Sequence, residues 1–186
     1  TQNGPTQLKP YPDDIMGSID FSSIPYPDYW QYNMQQYPID WQDMMKTKGM
    51  IKTVRLMTSN YCPLKCTFCS STHFLNECAS DKIPFRGLDA QSIIAMMRSA
   101  INAHPDTEAF YFNDDNFLLS KQRVQQFISA MDDFEHNPSL MSMGRVDDVE
   151  PEMLRDLRHI GFRKLLYGVE SFSNRLIHKM KGRATK

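Results

Sequence analysis

The sequence predicts an α/β protein built on a parallel sheet with helical crossovers. Three observations carry that expectation. From residue 51 onward, strand-like runs alternate with helix-period segments four times in about 130 residues. The segments expected to be helical carry capping residues at their ends. A polar cluster follows each strand-like run: the cysteines 62, 66 and 69; Asp114, Asp115 and Asn116; Arg145, Asp147 and Asp148; then Glu170 and Ser171. In parallel sheets ligands gather beyond the carboxyl ends of the strands, so all four clusters are expected on one rim. An open doubly wound sheet and part of a β/α barrel both fit this pattern.

The run "KTVRLMTS" (52–59) is rich in β-formers and leads into a cysteine loop. Residues 89–103 place Ile93, Ile94, Met97 and Ile101 on one helical face, with Asp89 as N-cap. "EAFYFND" (108–114) is a short apolar and aromatic strand. Residues 120–134 form a second helix, capped by Ser120, with Val124, Phe127, Ile128 and Met131 turned inward. "SLMSMGRV" (139–146) is the third strand. In 150–161, Pro151 suits a helix's first turn and Gly161 the position past its end. "RKLLYGVES" (163–171) is the fourth strand, and 173–182 a fourth helix with Ser173 as N-cap and Gly182 near its end.

Composition divides the chain near residue 50. The first fifty residues hold six of eleven prolines, five of eight tyrosines and both tryptophans, without a steady period. They are expected to form an extended, aromatic-rich segment (1–50) that wraps over its neighbour, ahead of a core domain at 51–186. So many aromatics argue against pure disorder. Net charge over the whole chain is −1, which points to neither nucleic acid nor membrane. The basic stretch Arg175, Lys179, Lys181, Arg183 and Lys186 is expected to serve a helix C-terminus rather than a nucleic acid. No apolar run is long enough to span a bilayer, and the start lacks a signal peptide's basic and apolar regions. The start also lacks Met, as a fragment or a processed chain would. The thirteen methionines read as packing, and the five histidines, at 73, 104, 136, 159 and 178, as surface or capping residues.

"SNYCPLKCTFCSS" (59–71) puts three of four cysteines within eight residues. That clustering does not suit disulfides stapling distant parts of a secreted fold, so a reducing cytoplasm is expected. Zinc structural sites usually take four ligands in two pairs, and Cys78 and His73 would have to complete one here. A redox pair of Cys66 and Cys69 leaves Cys62 without a role. A [4Fe–4S] cluster held by three cysteines leaves one iron open to a substrate or cosubstrate, whereas electron carriers usually cap all four.

The C-x3-C-x2-C of "CPLKCTFC", behind a first strand and opening a β/α series, resembles the signature of the radical S-adenosylmethionine (radical SAM) superfamily. The resemblance covers about residues 50–186. "FYFNDDNFLLSKQRVQQF", "GFRKLLYGVESFSNRLIHKMKG" and the connector-like "SSIPYPDYW" resemble the cobalamin-associated branch. No D-x-H-x-x-G cobalamin motif appears in the chain.

The resemblance implies a partial, TIM-like β/α barrel, here its N-terminal four of six β-α units. It implies an enzyme in which Cys62, Cys66 and Cys69 hold a [4Fe–4S] cluster. The open iron chelates the amino and carboxylate groups of S-adenosylmethionine, which is cleaved to a 5′-deoxyadenosyl radical. Phe68 takes the aromatic position near the adenine. Asn113, Asp114 and Asp115 stand where the family commonly has Gly-Gly-Glu beside the amino group. Arg145 is expected to pair with the methionyl carboxylate, and Glu170, with Ser171, to serve the ribose or the amino acid moiety. A reductant such as flavodoxin or ferredoxin is implied; the chain comes either from a larger protein that binds cobalamin elsewhere or from a relative of the branch that lacks it. Four units without the rest leave an open strand edge, so the isolated piece is expected to be aggregation-prone.

Overall fold

The computed structural model describes residues 39–40, 50–71 and 85–181. Most of the aromatic segment, His73, Cys78 and the chain from Gly182 onward lie outside the described residues. The described elements run β1 (Ile39–Asp40), β2 (Met50–Ile51), β3 (Thr53–Leu56), α1 (Ala90–Ala103), β4 (Ala109–Phe112), α2 (Lys121–Met131), β5 (Ser139–Gly144), α3 (Pro151–His159), β6 (Phe162–Tyr167) and α4 (Asn174–Lys181).

Strands β3, β4, β5 and β6 lie side by side in sequence order, all parallel. Sequential order with one helix after each strand is the barrel pattern; a doubly wound sheet would reverse direction at a switch point. The sheet is not closed, because β3 and β6 end it among the described residues. This is the partial barrel expected from the sequence. β1 and β2 pair antiparallel across the 50/51 boundary, and Ile51 packs with Ala109 and Met141 on the inner face of the sheet.

The main core lies between the sheet's outer face and the helices. Ile93, Ile94, Met97 and Ile101 of α1 are buried, as are Val124, Phe127 and Met131 of α2, while Ile128 is partly so. Phe112, Phe117, Phe127 and Phe162 form its aromatic centre, with Phe112 stacked on Phe117 at 4.6 Å. Each such buried ring contributes roughly 1.5–3 kcal/mol of transfer free energy.

The caps are as expected at Asp89, which accepts from the Ser92 N–H at 2.7 Å, and at Ser120, which accepts from the Arg123 N–H at 3.3 Å. Pro151 opens α3, and Gly161 follows it at φ +107. Ser173 instead gives its backbone carbonyl to the Ile177 N–H at 2.9 Å.

The strands are shorter than their sequence runs. β3 stops at Leu56 because the chain then turns aside: the Thr58 carbonyl accepts from the Leu88 N–H at 2.8 Å and Ser59 bridges to Gly87. β4 stops at Phe112 and β6 at Tyr167, so Asp114 and Glu170 sit in loops rather than on strand ends.

Candidate iron–sulfur site

The loop after β3 carries the cysteines on a tight path. The Cys66 N–H donates to the Leu64 carbonyl and the Cys69 N–H to the Cys66 carbonyl, each at 3.1 Å. Cys62, Cys66 and Cys69 are half-buried and free of disulfides. They line one wall of a cleft of about 440 Å³ at the carboxyl ends of the strands. Asp115, Arg145, Tyr167 and Glu170 face the same space from the ends of β4, β5 and β6. Burial pushes the Cys62 thiol up; nearby Asp115, Cys66 and Cys69 add to this, and a backbone hydrogen bond from Leu64 opposes it.

Among the described residues, no three His, Cys, Asp or Glu side chains gather tightly enough to hold a single metal ion.

The loop is anchored at two points. At its start, the Asp114 carboxylate accepts from the Thr58 N–H at 3.1 Å, from the Thr58 hydroxyl at 2.9 Å and from the Ser59 hydroxyl. Arg123 closes this network from α2, donating to the Leu88 carbonyl at 2.9 Å and the Thr58 carbonyl at 3.0 Å. Burial pushes that guanidinium below its usual range against the pull of Asp114. At mid-loop, the Thr67 N–H donates to the Met180 carbonyl at 2.9 Å, so the end of α4 holds the loop from above.

The sequence-predicted residues divide into two groups. Phe68, Asp115, Arg145 and Glu170 line the cleft with the cysteines. Phe68 is 45% exposed, an open ring on the rim. Glu170 is exposed at φ +61, a strained position for a side-chain-bearing residue. Asn113, Asp114 and Ser171 are not among the lining residues. The Asn113 N–H extends the sheet to the Leu56 carbonyl at 2.6 Å, and the Ser171 hydroxyl accepts from the Ser173 N–H at 3.1 Å.

Arg145 is nearly buried, and its two-point edge is engaged by Asp147: Nε and Nη2 donate to the two carboxylate oxygens at 2.8 and 2.7 Å. This pairing raises its pKa further. The remaining nitrogen, Nη1, lies 3.6 Å from Cys66 Sγ.

Three further lining residues were given no site role by the sequence. Asn116 is 4% exposed; its amide donates to Asp148 at 2.7 Å, while its buried Oδ1 has no partner. The Tyr167 hydroxyl is likewise buried without one. Lys181 reaches back from α4 to the Gly168 carbonyl. Asn116 extends the Asp-Asp run and was legible as part of that cluster. Tyr167 and Lys181 have no local signal.

A family model described as the radical SAM superfamily matches residues 56–186. An uncharacterized methyltransferase of Pyrococcus horikoshii is 24% identical over 176 residues, covering 95% of this chain and 34% of that protein. The cobalamin-dependent S-adenosylmethionine radical enzyme OxsB, solved with aqua-cobalamin and S-adenosylmethionine bound, superposes with a TM-score of 0.57 at 20% identity, covering 72% of this chain and 20% of its own. The radical S-adenosylmethionine methyltransferase TsrM of Kitasatospora setae, solved with cobalamin and a [4Fe–4S] cluster, gives 0.58 at 16% identity, covering 86% of this chain and 32% of its own. At these identities the two solved structures share the fold. The chain spans about a third of the curated relative and a fifth to a third of the solved ones.

Proposed function

The chain belongs to the radical SAM superfamily, and from that premise we propose that its cleft holds a [4Fe–4S] cluster on Cys62, Cys66 and Cys69 and binds S-adenosylmethionine beside it. The observation that carries this reading is the placement of all three thiols of one C-x3-C-x2-C loop on the wall of a single cleft at the strand ends. The donor chemistry fits, since thiolates are the usual ligands of iron–sulfur clusters. The unpartnered Asn116 Oδ1 and Tyr167 hydroxyl on the same cleft also fit a bound polar molecule, because a buried unsatisfied group costs about 1–3 kcal/mol.

When bound, the cluster supplies the single electron that cleaves S-adenosylmethionine to methionine and a 5′-deoxyadenosyl radical. The chain's own residues bind and orient. The Phe68 ring offers a face for the adenine. The Asp115 carboxylate meets the ammonium group, an interaction strengthened where water is partly excluded. Glu170 accepts from the ribose hydroxyls. Asn113, Asp114 and Ser171 act through the backbone and the loop rather than by touching the cosubstrate.

Residues 51–186 then form the core domain. A one-electron donor such as flavodoxin or ferredoxin supplies the cluster. Cobalamin is a second cofactor of the intact protein, held by segments outside this chain; the named relatives make methyl transfer the subtype to test first. Among the described residues no helix is long and apolar enough to cross a membrane. The oxidisable thiolates are best kept in a reducing cytoplasm.

The test is anaerobic reconstitution with iron and sulfide, then electron paramagnetic resonance of the reduced protein with and without S-adenosylmethionine. A reduced [4Fe–4S] signal that changes on adding it is expected. Zinc in place of iron, or a cluster indifferent to S-adenosylmethionine, would overturn the reading in favour of a stapled loop or an electron carrier.

A further inference from the structure

Cys66 is set apart from the other two cysteines by its neighbour. Arg145 Nη1 is 3.6 Å from Cys66 Sγ, a hydrogen-bonding distance for so large an acceptor atom. The guanidinium is not free to turn away. Its Nε and Nη2 are both committed to Asp147, and rotation would break two short, charge-assisted bonds at once. Asp147 thus fixes the plane of the cation, and the plane aims the last N–H group at the sulfur. Asp148, buried and holding the Asn116 amide, is a further carboxylate felt by the same guanidinium. With Arg145 only 7% exposed, water screens little of this arrangement.

We propose that Arg145, oriented by Asp147, is a positioning residue that tunes the iron–sulfur centre through Cys66 and raises its reduction potential. The inference rests on the reading of Cys66 as a cluster ligand; the sulfur in the structure stands for that ligand thiolate. Reduction adds one electron, [4Fe–4S]2+ to [4Fe–4S]+, and therefore one negative charge. An N–H group and the positive end of an ion pair, both directed at a ligand sulfur, stabilise the more negative state. Hydrogen bonds to sulfur and local charge are among the factors that set such potentials. The carboxylate of Asp147 acts in the opposite sense, since it tempers the cation it orients. The two residues therefore have opposite electrostatic signs at the cluster while belonging to one structural unit.

That opposition gives a test that a merely structural role does not satisfy. The intact protein is reconstituted and titrated with dithionite, without S-adenosylmethionine, and the reduced cluster is followed by electron paramagnetic resonance. Arg145→Gln is expected to lower the midpoint by about tenfold in the reduction equilibrium, or about 59 mV for one electron. Asp147→Asn is expected to raise it. Arg145→Lys, which keeps the charge but loses the fork, should fall between wild type and Arg145→Gln, and it carries the test with Asp147→Asn if the glutamine variant does not fold. Shifts of the same sign in the Arg145 and Asp147 variants would overturn the proposal, since general loosening moves both alike. An unchanged midpoint in Arg145→Gln with weakened S-adenosylmethionine binding would also overturn it, and would assign Arg145 to the methionyl carboxylate while the proposed function stands. A wild-type protein that takes up no cluster removes both readings.

Discussion

Asp114 and Asp115 are adjacent in the chain and serve different spaces. Asp114 is 1% exposed and ties Thr58 and Ser59, at the start of the cysteine loop, to the end of β4. Asp115 is exposed and lines the cleft. Removing Asp114 strands a buried Thr58 N–H group and deprives the buried Arg123 of a nearby negative charge. Asp114→Ala is therefore expected to cost about 3–5 kcal/mol, the usual penalty for breaking a buried charged network. Asp115→Ala should leave the melting temperature unchanged and weaken S-adenosylmethionine binding severalfold. Thermal melts and equilibrium dialysis separate the two; an Asp114→Ala protein that melts normally would count against this division.

Replacing each thiol should distinguish ligands from the spare cysteine. Reconstituted wild type is expected to carry about four iron atoms per chain. Ala at Cys62, Cys66 or Cys69 should bring bound iron close to background. Cys78→Ser should retain it. Iron and sulfide analysis after desalting makes the comparison, and retention of a full cluster by any of the first three variants would contradict the ligand set.

In the cluster-free protein Cys62 should resist alkylation to a higher pH than an ordinary thiol. Burial favours its neutral form, so its folded pKa lies above the unfolded value. The thiolate is the nucleophile, and iodoacetamide labelling of Cys62 should rise with pH later than in the urea-unfolded chain. By linkage, the stability that the protonated thiol lends is present below its unfolded pKa. It is lost as pH rises through the folded one. Mass spectrometry of the labelled peptide at a series of pH values reads the midpoint; coincident folded and unfolded curves would refute the shift.

Gly161 should tolerate no side chain. Its φ is +107, and a Cβ built there would lie 2.6 Å from the Pro138 carbonyl oxygen. The same residue's carbonyl accepts from the Leu140 N–H at 2.9 Å, so a shift to relieve the clash disturbs the β5–β6 edge. Gly161→Ala is expected to destabilise by more than about 1 kcal/mol. Urea unfolding is the measurement, and an unchanged midpoint would mean the turn can relax.

Glu170 should act on binding more than on folding. It is exposed, and the strain at its φ of +61 belongs to the backbone rather than to the carboxylate. Glu170→Gln keeps shape and backbone while removing charge, so S-adenosylmethionine affinity should fall with little change in melting temperature. A lower melting temperature with unchanged affinity would make Glu170 a structural residue.

The alternation of elements was legible because it is local. Helical spacing in 89–103 and capping by Asp89 and Ser120 depend on residues within a turn or two, and the structure keeps them. Strand ends were less legible. The run 52–59 remains β-like to its end, yet β3 stops at Leu56 because contacts with Asp114 and Leu88, distant in sequence, draw the chain aside.

By itself the sequence determined the four β-α units, the spacing of Cys62, Cys66 and Cys69, and the superfamily to which they point. These depend on short-range periodicity and on a motif that a single loop can hold, and no distant partner is needed to state them. Tertiary structure alone decided which polar residues reach the cleft. The loop after β4 turns Asp114 inward onto Thr58 and Ser59, while Asp115 lines the cleft. Folding also brought Met180 to Thr67 and Arg145 to Cys66, across 113 and 79 residues of chain. Such contacts follow from how parallel strands and their helices stack, which no local pattern encodes.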